Sequence, residues 1–436
     1  MNTQRIDHSK EENNIQKIWQ AMDRDVDSLL SIMESLIAFP TVSPPARNTA
    51  DVQHWISTFL AEQGFTTEQF PFYEKDVLLV GERTGSQADL FNSLIVNGHI
   101  DVAAIGDKNQ WETDPFTLTQ KENRLFARGT SDMKGAMAAN LWIFKLLNQL
   151  DIDLKGTLQF QSAVGEEAGE AGTRTLLEKG YTADYAIVND TTDLALQGQG
   201  GCVTGWITVK SPEVYHDGNR RKMIHAGGRI FAASAVEKMV PIIEGLQKLE
   251  RHWAVTKQYP GFPAGTTTIN PSYIQGGINP AFIANECHLW ITVHFYPNES
   301  IEEVQKEIDE HVAAIAASDP WLKQHPPVIR WGGRSMIEEQ GEIFPALEIN
   351  DQHPAFNLLK DSHQQIANQE PIVRMSTSVN DSGWFAYFGI PTISYGPGEL
   401  AEAHSNNESV SVEDILLFAK TMAAFIIQWC NLQKAE

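Results

Sequence analysis

The chain has 436 residues, of which 42% are hydrophobic and 20% are charged, the composition of a globular protein. Its length exceeds what one hydrophobic core usually serves, so we expect two domains. The formal net charge of −23 argues against binding to nucleic acid or to anionic membrane surfaces, because both are themselves negatively charged.

No segment of the sequence has the pattern of a targeting or membrane-spanning element. Residues 1–20 are polar and mixed in charge, and no apolar run approaches the ~20 residues that a spanning helix needs. The three cysteines, Cys202, Cys287 and Cys430, are too far apart and odd in number for a disulfide framework or a zinc ribbon. We therefore expect a cytoplasmic protein in a reducing compartment.

Strand and helix patterns alternate through the first part of the chain. Apolar residues at helical spacing predict a helix over residues 15–38, which the Phe39-Pro40 pair would end. The alternation of strands and helices predicts an α/β layer with a mostly parallel sheet. In chain order, the predicted elements are helices over 15–38 and 49–62, strands over 77–80 and 94–96, a helix over 133–150, and strands over 158–164 and 185–188.

The pattern changes at the glycine-rich segment 198–201, which suits a crossing between domains. The order that follows, strand, helix, strand, strand, helix and strand, is that of a ferredoxin-like module. After about residue 343 the α/β pattern returns, so we expect a discontinuous α/β domain, 1–201 and 341–436, interrupted by an inserted domain, 202–340. The elements of the insert are predicted over 205–210, 232–248, 267–275, 287–296, 301–317 and 328–331, and those of the final segment over 392–395 (strand) and 412–429 (helix).

Histidine and acidic residues cluster where predicted strands end, which is where ligand sites form in α/β sheets. His99 and Asp101 follow the strand over 94–96 and are two residues apart, so they point to the same side of an extended backbone. A carboxylate beside an imidazole can orient it and increase its basicity toward a metal ion. Taken alone, the pair would more simply be polar residues in a surface turn.

Asp132 lies at the predicted start of the helix over 133–150. An aspartate there is an ordinary helix N-cap, and for Asp132 alone that interpretation is at least as good as a functional one. Gly129 and Gly135 flank it, and glycines permit a close approach of the backbone to another group, which favours a functional role.

Further carboxylates follow the next two predicted strands. Glu166 and Glu167 are adjacent at a strand end and point to opposite sides, so one could bind metal while the other stays free as a base. Asp190 follows the next strand and His404 lies far downstream; each of these alone would more simply be structural. Together, two histidines and several carboxylates are the ligand set of zinc or a related divalent ion, and shared carboxylates can hold two such ions ~3.5–4 Å apart.

Five segments in a fixed order carry a family resemblance. They are Gly98-His99-Ile100-Asp101, Gly129-Thr130-Ser131-Asp132-Met133-Lys134-Gly135, Gly165-Glu166-Glu167, Asn189-Asp190, and His404 with Asn407-Glu408. The chain resembles the metallohydrolase family of acetylornithine deacetylase, succinyl-diaminopimelate desuccinylase, aminoacylase and carboxypeptidase G. Each segment is weak in isolation, but five in the right order over nearly the whole chain are highly specific.

The resemblance implies a fold and a metal centre. The fold is a zinc-exopeptidase-like α/β/α catalytic domain with an inserted ferredoxin-like (β-α-β-β-α-β) lid and dimerisation domain. The cofactor is a pair of Zn²⁺ ions, for which Co²⁺ or Mn²⁺ could substitute. The implied roles are terminal ligands of one ion (His99 and Asp190) and of the other (Glu167 and His404), a bridging ligand (Asp132), a hydrogen-bond partner of His99 (Asp101), a general base (Glu166), and a cis peptide bond at Asp132-Met133.

The family further implies a histidine of the inserted domain that donates to the tetrahedral oxyanion, often from the partner subunit. His225, in the segment 223–229, matches that motif, and nearby His216 is the competing candidate. If the histidine acts across subunits, the active enzyme is a homodimer.

The implied reaction is hydrolysis of an amide bond by metal-activated water, with Glu166 as general base. We expect a deacylase acting on a small N-acyl amino acid or diamino acid; the alternative is a di- or tripeptidase or carboxypeptidase acting on a short peptide with the same scaffold. Ala281 replaces a common Asn of the family and His294 a common Arg, so the acyl group and the amine stay open and acetylornithine itself is not assumed. A non-catalytic binding protein would lack a ligand or the base, and here all are present.

Overall fold

The computed structural model describes residues 8–435, except for the side chains of His8, Ser9 and His225. The described chain forms two compact units. The first comprises the chain up to Gly198, Ile349–Arg374 and the chain from Asn380 onward, and the second comprises Gln199–Glu348 with Met375–Val379.

The first unit contains a large sheet and most of the helices. Its helices are α1 (His8–Met22), α2 (Val26–Ile37), α3 (Ala50–Glu62), α4 (Lys134–Gln149), α5 (Gly172–Glu178), α8 (Pro354–Ala367), α9 (Ser382–Tyr387) and α10 (Val412–Cys430). Its strands are β1 (Thr66–Phe72), β2 (Asp76–Arg83), β3 (Leu94–His99), β4 (Thr119–Lys121), β5 (Arg124–Phe126), β6 (Leu158–Ala163), β7 (Tyr185–Val188), β8 (Leu196–Gln199), β14 (Val373–Ser376), β15 (Thr392–Ser394) and β16 (Ser409–Ser411).

The large sheet has the strand order β1-β2-β6-β3-β7-β15-β8-β14. Its middle strands, β6, β3, β7 and β15, are parallel to one another. Every residue of β3 and β6 is buried, as expected for strands covered on both faces. The sequence predicted a mostly parallel sheet, but the sheet is mixed. β1 and β2 form a hairpin, whose short turn requires antiparallel pairing, and β8 is antiparallel to β15.

The core of the first unit packs α1, α2, α4 and α10 against this sheet. Trp142 and Phe144 of α4 and Phe418 of α10 are fully buried, and each such side chain contributes on the order of 1.5–3 kcal/mol to folding. This packing gives the central strands, which carry the candidate site, a rigid base. None of the helices in the described part of the chain is long and apolar enough to cross a membrane.

The helix predicted over 15–38 is in fact two helices. α1 ends at Met22 and α2 begins at Val26, with a turn between them. The Asp25 side chain accepts a hydrogen bond from the Ser28 hydroxyl at 2.7 Å, and aspartate favours such turns over helix interiors. The apolar spacing continues across the break, which is why the pattern alone did not reveal it.

The second unit contains a smaller antiparallel sheet covered by two helices. Its strands are β9 (Gly201–Lys210), β10 (Thr268–Gly276), β11 (Glu286–Phe295), β12 (Val328–Trp331) and β13 (Ile343–Phe344), and its helices are α6 (Ala235–Thr256) and α7 (Ile301–Ser318). The strand order is β10-β11-β9-β12, with β13 also pairing with β9. Trp253, Ile291 and Ile308 lie in its core. The predicted β-α-β-β-α-β order is confirmed.

Candidate metal centre

Three of the predicted site segments follow neighbouring parallel strands. His99 is the last residue of β3, Glu166 and Glu167 follow β6 after a turn at Gly165 (φ +93), and Asp190 follows β7. β3 pairs with β6 on one side and with β7 on the other. Because parallel strands have their carboxyl ends at one edge of a sheet, these side chains come together there.

Two further side chains reach the same place from loops. Asp132 lies two residues before the start of α4, and its peptide bond to Met133 is cis, as the family resemblance implied. His404 lies between β15 and β16 and has a left-handed backbone (φ +61), which is uncommon for a residue other than glycine. Asp132 is buried, whereas 61% of the His404 side chain is exposed.

The Asp132 carboxylate lies between two histidines. Its Oδ1 is 3.2 Å from His99 Nε2 and its Oδ2 is 3.4 Å from His404 Nε2. On the first side, Asp190 Oδ1 lies 4.0 Å from His99 Nε2; on the second, Glu167 Oε2 lies 2.8 Å from His404 Nε2. The structure therefore brings the five predicted ligands together as two groups that share Asp132.

The donor atoms in these groups fit divalent metal ions. His99 Nδ1 is 3.0 Å from the main-chain oxygen of Asp101, so it carries the hydrogen and the lone pair is on Nε2. His99 Nε2 and Glu167 Oε1 are buried and have no hydrogen-bond partner among the described residues. Buried atoms of this kind call for a ligand, and imidazole nitrogen with carboxylate oxygen is a donor set that binds zinc and its neighbours in the periodic table.

Asp101 contacts His99 through its main chain and the adjacent turn through its carboxylate. The carboxylate lies 3.8 Å from His99 Nδ1, whose hydrogen bond goes instead to the main-chain oxygen of Asp101. The two carboxylate oxygens accept from the main-chain N–H groups of Gly165 (2.8 Å) and Glu167 (3.2 Å). The sequence predicted Asp101 as the hydrogen-bond partner of His99, but spacing indicates the side of a strand, not which oxygen the imidazole meets. Asp101 thus holds both His99 and the turn that carries Glu167.

The electrostatics of the cluster favour bound positive charge. Burial raises the pKa of Glu167 to about 7 and that of Asp190 to about 6, and the charge of Asp132 adds to both shifts. Burial also acts to raise the pKa of Asp132, but the neighbouring histidines, His404 and His99, outweigh it and the pKa is lowered. The contacts with Asp132 and Glu167 raise the pKa of His404 to about 10. Crowded buried carboxylates therefore stabilise a cation between them.

Glu166 also lies close to His99. Its Oε2 is 3.9 Å from His99 Nε2, and Asp190 Oδ1 is 4.0 Å from the same atom. Burial is the main cause that raises the pKa of Glu166 well above its usual range; His99 opposes the shift, and Asp190 and Glu167 add to it. A carboxylate with a raised pKa can both accept and release a proton during a reaction, which is what a general base that later acts as an acid must do.

The predicted oxyanion donor belongs to the second unit. His225 lies in a short 3₁₀ turn, Ile224–Ala226, but its side chain is outside the described residues. The competing candidate, His216, accepts a hydrogen bond from the main-chain N–H of Gly218, and its Nδ1 is 2.8 Å from Asp217 Oδ1. The role given to His225 stays a prediction.

Two buried ionic groups near the centre were given no role from the sequence. Arg128 and Glu408 form an ion pair in which neither side chain is more than 1% exposed. Lys134 donates to the main-chain oxygens of Leu36 and Phe39, which joins the start of α4 to the end of α2, and burial lowers its pKa to about 7. All three charged residues lie in or beside the segments that carry the family resemblance. Their position next to glycines or a helix start was the only feature of the sequence that could have pointed to a buried role.

A comparison with known families agrees with this geometry. The model of peptidase family M20/M25/M40 matches residues 95–428, a range that includes every residue of the centre, and the chain belongs to this family. The resemblance stated from the sequence is thereby confirmed.

Individual relatives narrow the class further. N-formyl-4-amino-5-aminomethyl-2-methylpyrimidine deformylase of Halalkalibacterium halodurans is 51% identical over 97% of this chain and 99% of that protein. The enzyme of the same name from Bacillus subtilis is 49% identical over the same shares. Acetylornithine deacetylase of Proteus mirabilis is 25% identical over 95% of this chain and 100% of that protein. With its family and these relatives, the chain is a hydrolase of carbon–nitrogen (amide) bonds, as predicted.

Solved structures share the fold. The di-peptidase Dug1p of Saccharomyces cerevisiae superposes with a TM-score of 0.69 at 16% identity, covering 95% of this chain and 98% of that one. The predicted fold class, an α/β catalytic domain with a lid and dimerisation domain, is that of this family.

Proposed function

We propose that the protein is a metal-dependent deformylase whose substrate is a small N-formylated aminomethylpyrimidine. The observation that carries the proposal is the identity of 51% and 49% to two deformylases over 97% of the chain, against 25% to an acetylornithine deacetylase. Ala281 and His294, where the family commonly has Asn and Arg, support a substrate other than an N-acyl amino acid. The predicted peptidase alternative has only the shared fold in its support.

Two Zn²⁺ ions fit the two groups of ligands. His99, Asp190 and Asp132 would hold one ion, and Asp132, Glu167 and His404 the other. When bound, such a pair of cations lowers the pKa of a water molecule and polarises the amide carbonyl. The orphaned Nε2 of His99 and Oε1 of Glu167 support this assignment.

Glu166 would move the proton. It accepts a proton from the attacking water and delivers it to the leaving amine nitrogen, so that formate and the free aminomethylpyrimidine are the products. Its raised pKa and its place beside His99 support the role. Asp101 fixes the backbone of the turn that carries Glu166 and Glu167, because its carboxylate accepts two main-chain hydrogen bonds from that turn.

We also propose that the protein is a homodimer that associates through the inserted domain, for which we propose the bounds 202–340. β10 is an edge strand, and Tyr273 and Ile274 on it are 53% and 50% exposed. Val240 on α6 is also 50% exposed. Exposed apolar residues beside an unpaired strand edge favour association. Light scattering should give twice the chain mass of 48.6 kDa, and Ile274→Lys should give a monomer. A monomeric wild-type protein would contradict the proposal.

A substrate panel tests the proposed activity. Purified, zinc-loaded protein would be assayed with N-formyl-4-amino-5-aminomethyl-2-methylpyrimidine, N-acetylornithine and a set of dipeptides. We expect kcat/KM for the formyl compound to exceed that for the others by at least about a hundredfold, the discrimination that several specific contacts provide. Equal or faster turnover of an N-acetyl amino acid or a dipeptide would overturn the proposed substrate.

A further inference from the structure

A single carboxylate holds the segment that precedes Asp132. Glu408 Oε1 accepts hydrogen bonds from the main-chain N–H groups of Gly129, Ser131 and Asp132, at 3.0, 2.8 and 3.0 Å. The Glu408 side chain is fully buried. Because the acceptor is charged and takes three donors, it fixes the backbone that orients the Asp132 carboxylate.

The other oxygen of this carboxylate binds a guanidinium that reaches the His404 loop. Arg128 Nη1 lies 2.6 Å from Glu408 Oε2. Arg128 Nη2 donates to the main-chain oxygens of Ala104, at 2.9 Å, and of His404, at 3.2 Å. The planar fork of arginine allows both sets of contacts at once, which a lysine amine at the same place cannot reproduce.

We infer that Glu408 and Arg128 are positioning residues that set the spacing between the two metal-binding groups. Glu408 orients the shared ligand Asp132, and Arg128 ties the main chain of His404 to it. The inference rests on the proposed function as a metal-dependent hydrolase. His404 needs such a tie because it lies outside any regular element and has a left-handed backbone, whereas His99 is part of a buried strand.

The variant Arg128→Lys separates the two contacts. A lysine keeps the positive charge beside Glu408 but loses the bonds to the His404 loop. Titration of the metal-free, full-length protein with Zn²⁺ against a chromophoric chelator should show one of two binding steps weakened by about 10- to 100-fold, as for other groups that orient metal ligands. The other step should stay within about threefold of wild type. Two unchanged steps would overturn the inference.

A double variant tests whether Arg128 acts through His404. In the His404→Ala protein, which lacks the ligand that Arg128 positions, Arg128→Lys should leave the affinity of the remaining ion unchanged. A further loss in that background would show that Arg128 acts in some other way and would overturn its assigned role.

Glu408→Asp tests the contact with the shared ligand. The shorter side chain keeps its charge but withdraws the carboxylate by about 1.5 Å, one carbon–carbon bond. Both Zn²⁺ steps should weaken, since both ions share Asp132, whereas Arg128→Lys affects one. Weakening of neither step would overturn the role of Glu408.

A matched control distinguishes positioning from loss of stability. Arg83 on β2 also donates to a main-chain oxygen, that of Ile152 at 3.0 Å, but touches none of the metal-binding segments. Arg83→Lys should lower the melting temperature without changing either Zn²⁺ step, and a weakened step in this control would overturn the inference. A wild-type protein that binds no divalent ion would instead contradict the proposed function itself, a result distinct from two normal steps in Arg128→Lys.

Discussion

The two histidines of the candidate centre are held in opposite ways. His99 is the last residue of a central strand, is 2% exposed, and is oriented by a hydrogen bond to the main chain of Asp101. His404 comes from a loop, is 61% exposed, and depends on contacts with Asp132 and Glu167 and on the Arg128 tie. His99 is thus built into the sheet, whereas His404 is held by long-range contacts.

This difference suggests how the centre divides its tasks. Because His99 belongs to a buried strand, we expect its backbone to be in place before any ion binds. The His404 side chain is mostly exposed, so it is the part of the centre that solvent meets. Variants of His99 and His404 should therefore differ in how much they lower the free energy of unfolding.

The largest effect on activity is expected at Glu166, to which we assign proton transfer rather than metal binding. Glu166→Gln should lower kcat by about a thousandfold or more, because the glutamine side chain cannot take a proton from water. Zinc content, measured by mass spectrometry of metals, should match wild type. Substantial activity in this variant would remove Glu166 from its role as base, and loss of metal would place it among the ligands.

The two histidine variants test the comparison directly. His99→Ala and His404→Ala should each lose about one ion per chain, since each removes a terminal ligand. In the metal-free proteins, His99→Ala should lower the free energy of unfolding by about 1–3 kcal/mol, and His404→Ala by less, because the first empties a buried position whereas the His404 side chain is mostly exposed. Equal destabilisation, measured by urea unfolding, would contradict the contrast drawn here.

A smaller effect is expected at Asp101, which contacts both His99 at the end of β3 and the turn that carries Glu167. Asp101→Asn leaves only one acceptor oxygen for the N–H groups of Gly165 and Glu167. The affinity for zinc should fall by about 10- to 100-fold while the fold is retained. Zinc titration and circular dichroism would check both points, and wild-type affinity would show that Asp101 does not orient the ligands.

The smallest effect is expected at an exposed ion pair. Lys108 and Asp114 pair at 2.8 Å, but their side chains are 64% and 46% exposed. Lys108→Ala should leave the melting temperature, the zinc content and kcat unchanged, because solvent screens such pairs. A loss of zinc here would show that the loops around the centre are more strongly coupled than their contacts indicate.

The sequence predicted the regular elements best where one pattern dominates. The strand at 94–96, the helix at 133–150 and the helix at 412–429 were found because each is rich in apolar residues, many of which are buried in the structure. β1 was missed because most of its residues face solvent, and short strands such as β16 have too few residues to show a period.

The candidate site was predicted from the order of its motifs, and the structure adds what order cannot give. Spacing placed His99 and Asp101 on one side of a strand but not the imidazole on a main-chain oxygen. The Arg128–Glu408 pair joins residues 280 positions apart, and no local pattern specifies such a partner. Long-range pairs of this kind depend on how the loops cross in three dimensions.

We propose that Asp132 lies between two metal ions, one beside each histidine. Crystals of zinc-loaded protein, measured by anomalous diffraction at the zinc edge, would show where the ions bind. We expect two peaks ~3.5–4 Å apart, one about 2.0–2.1 Å from His99 Nε2 and the other at the same distance from His404 Nε2. A single peak, or two peaks that do not share Asp132, would rule out a bridging Asp132.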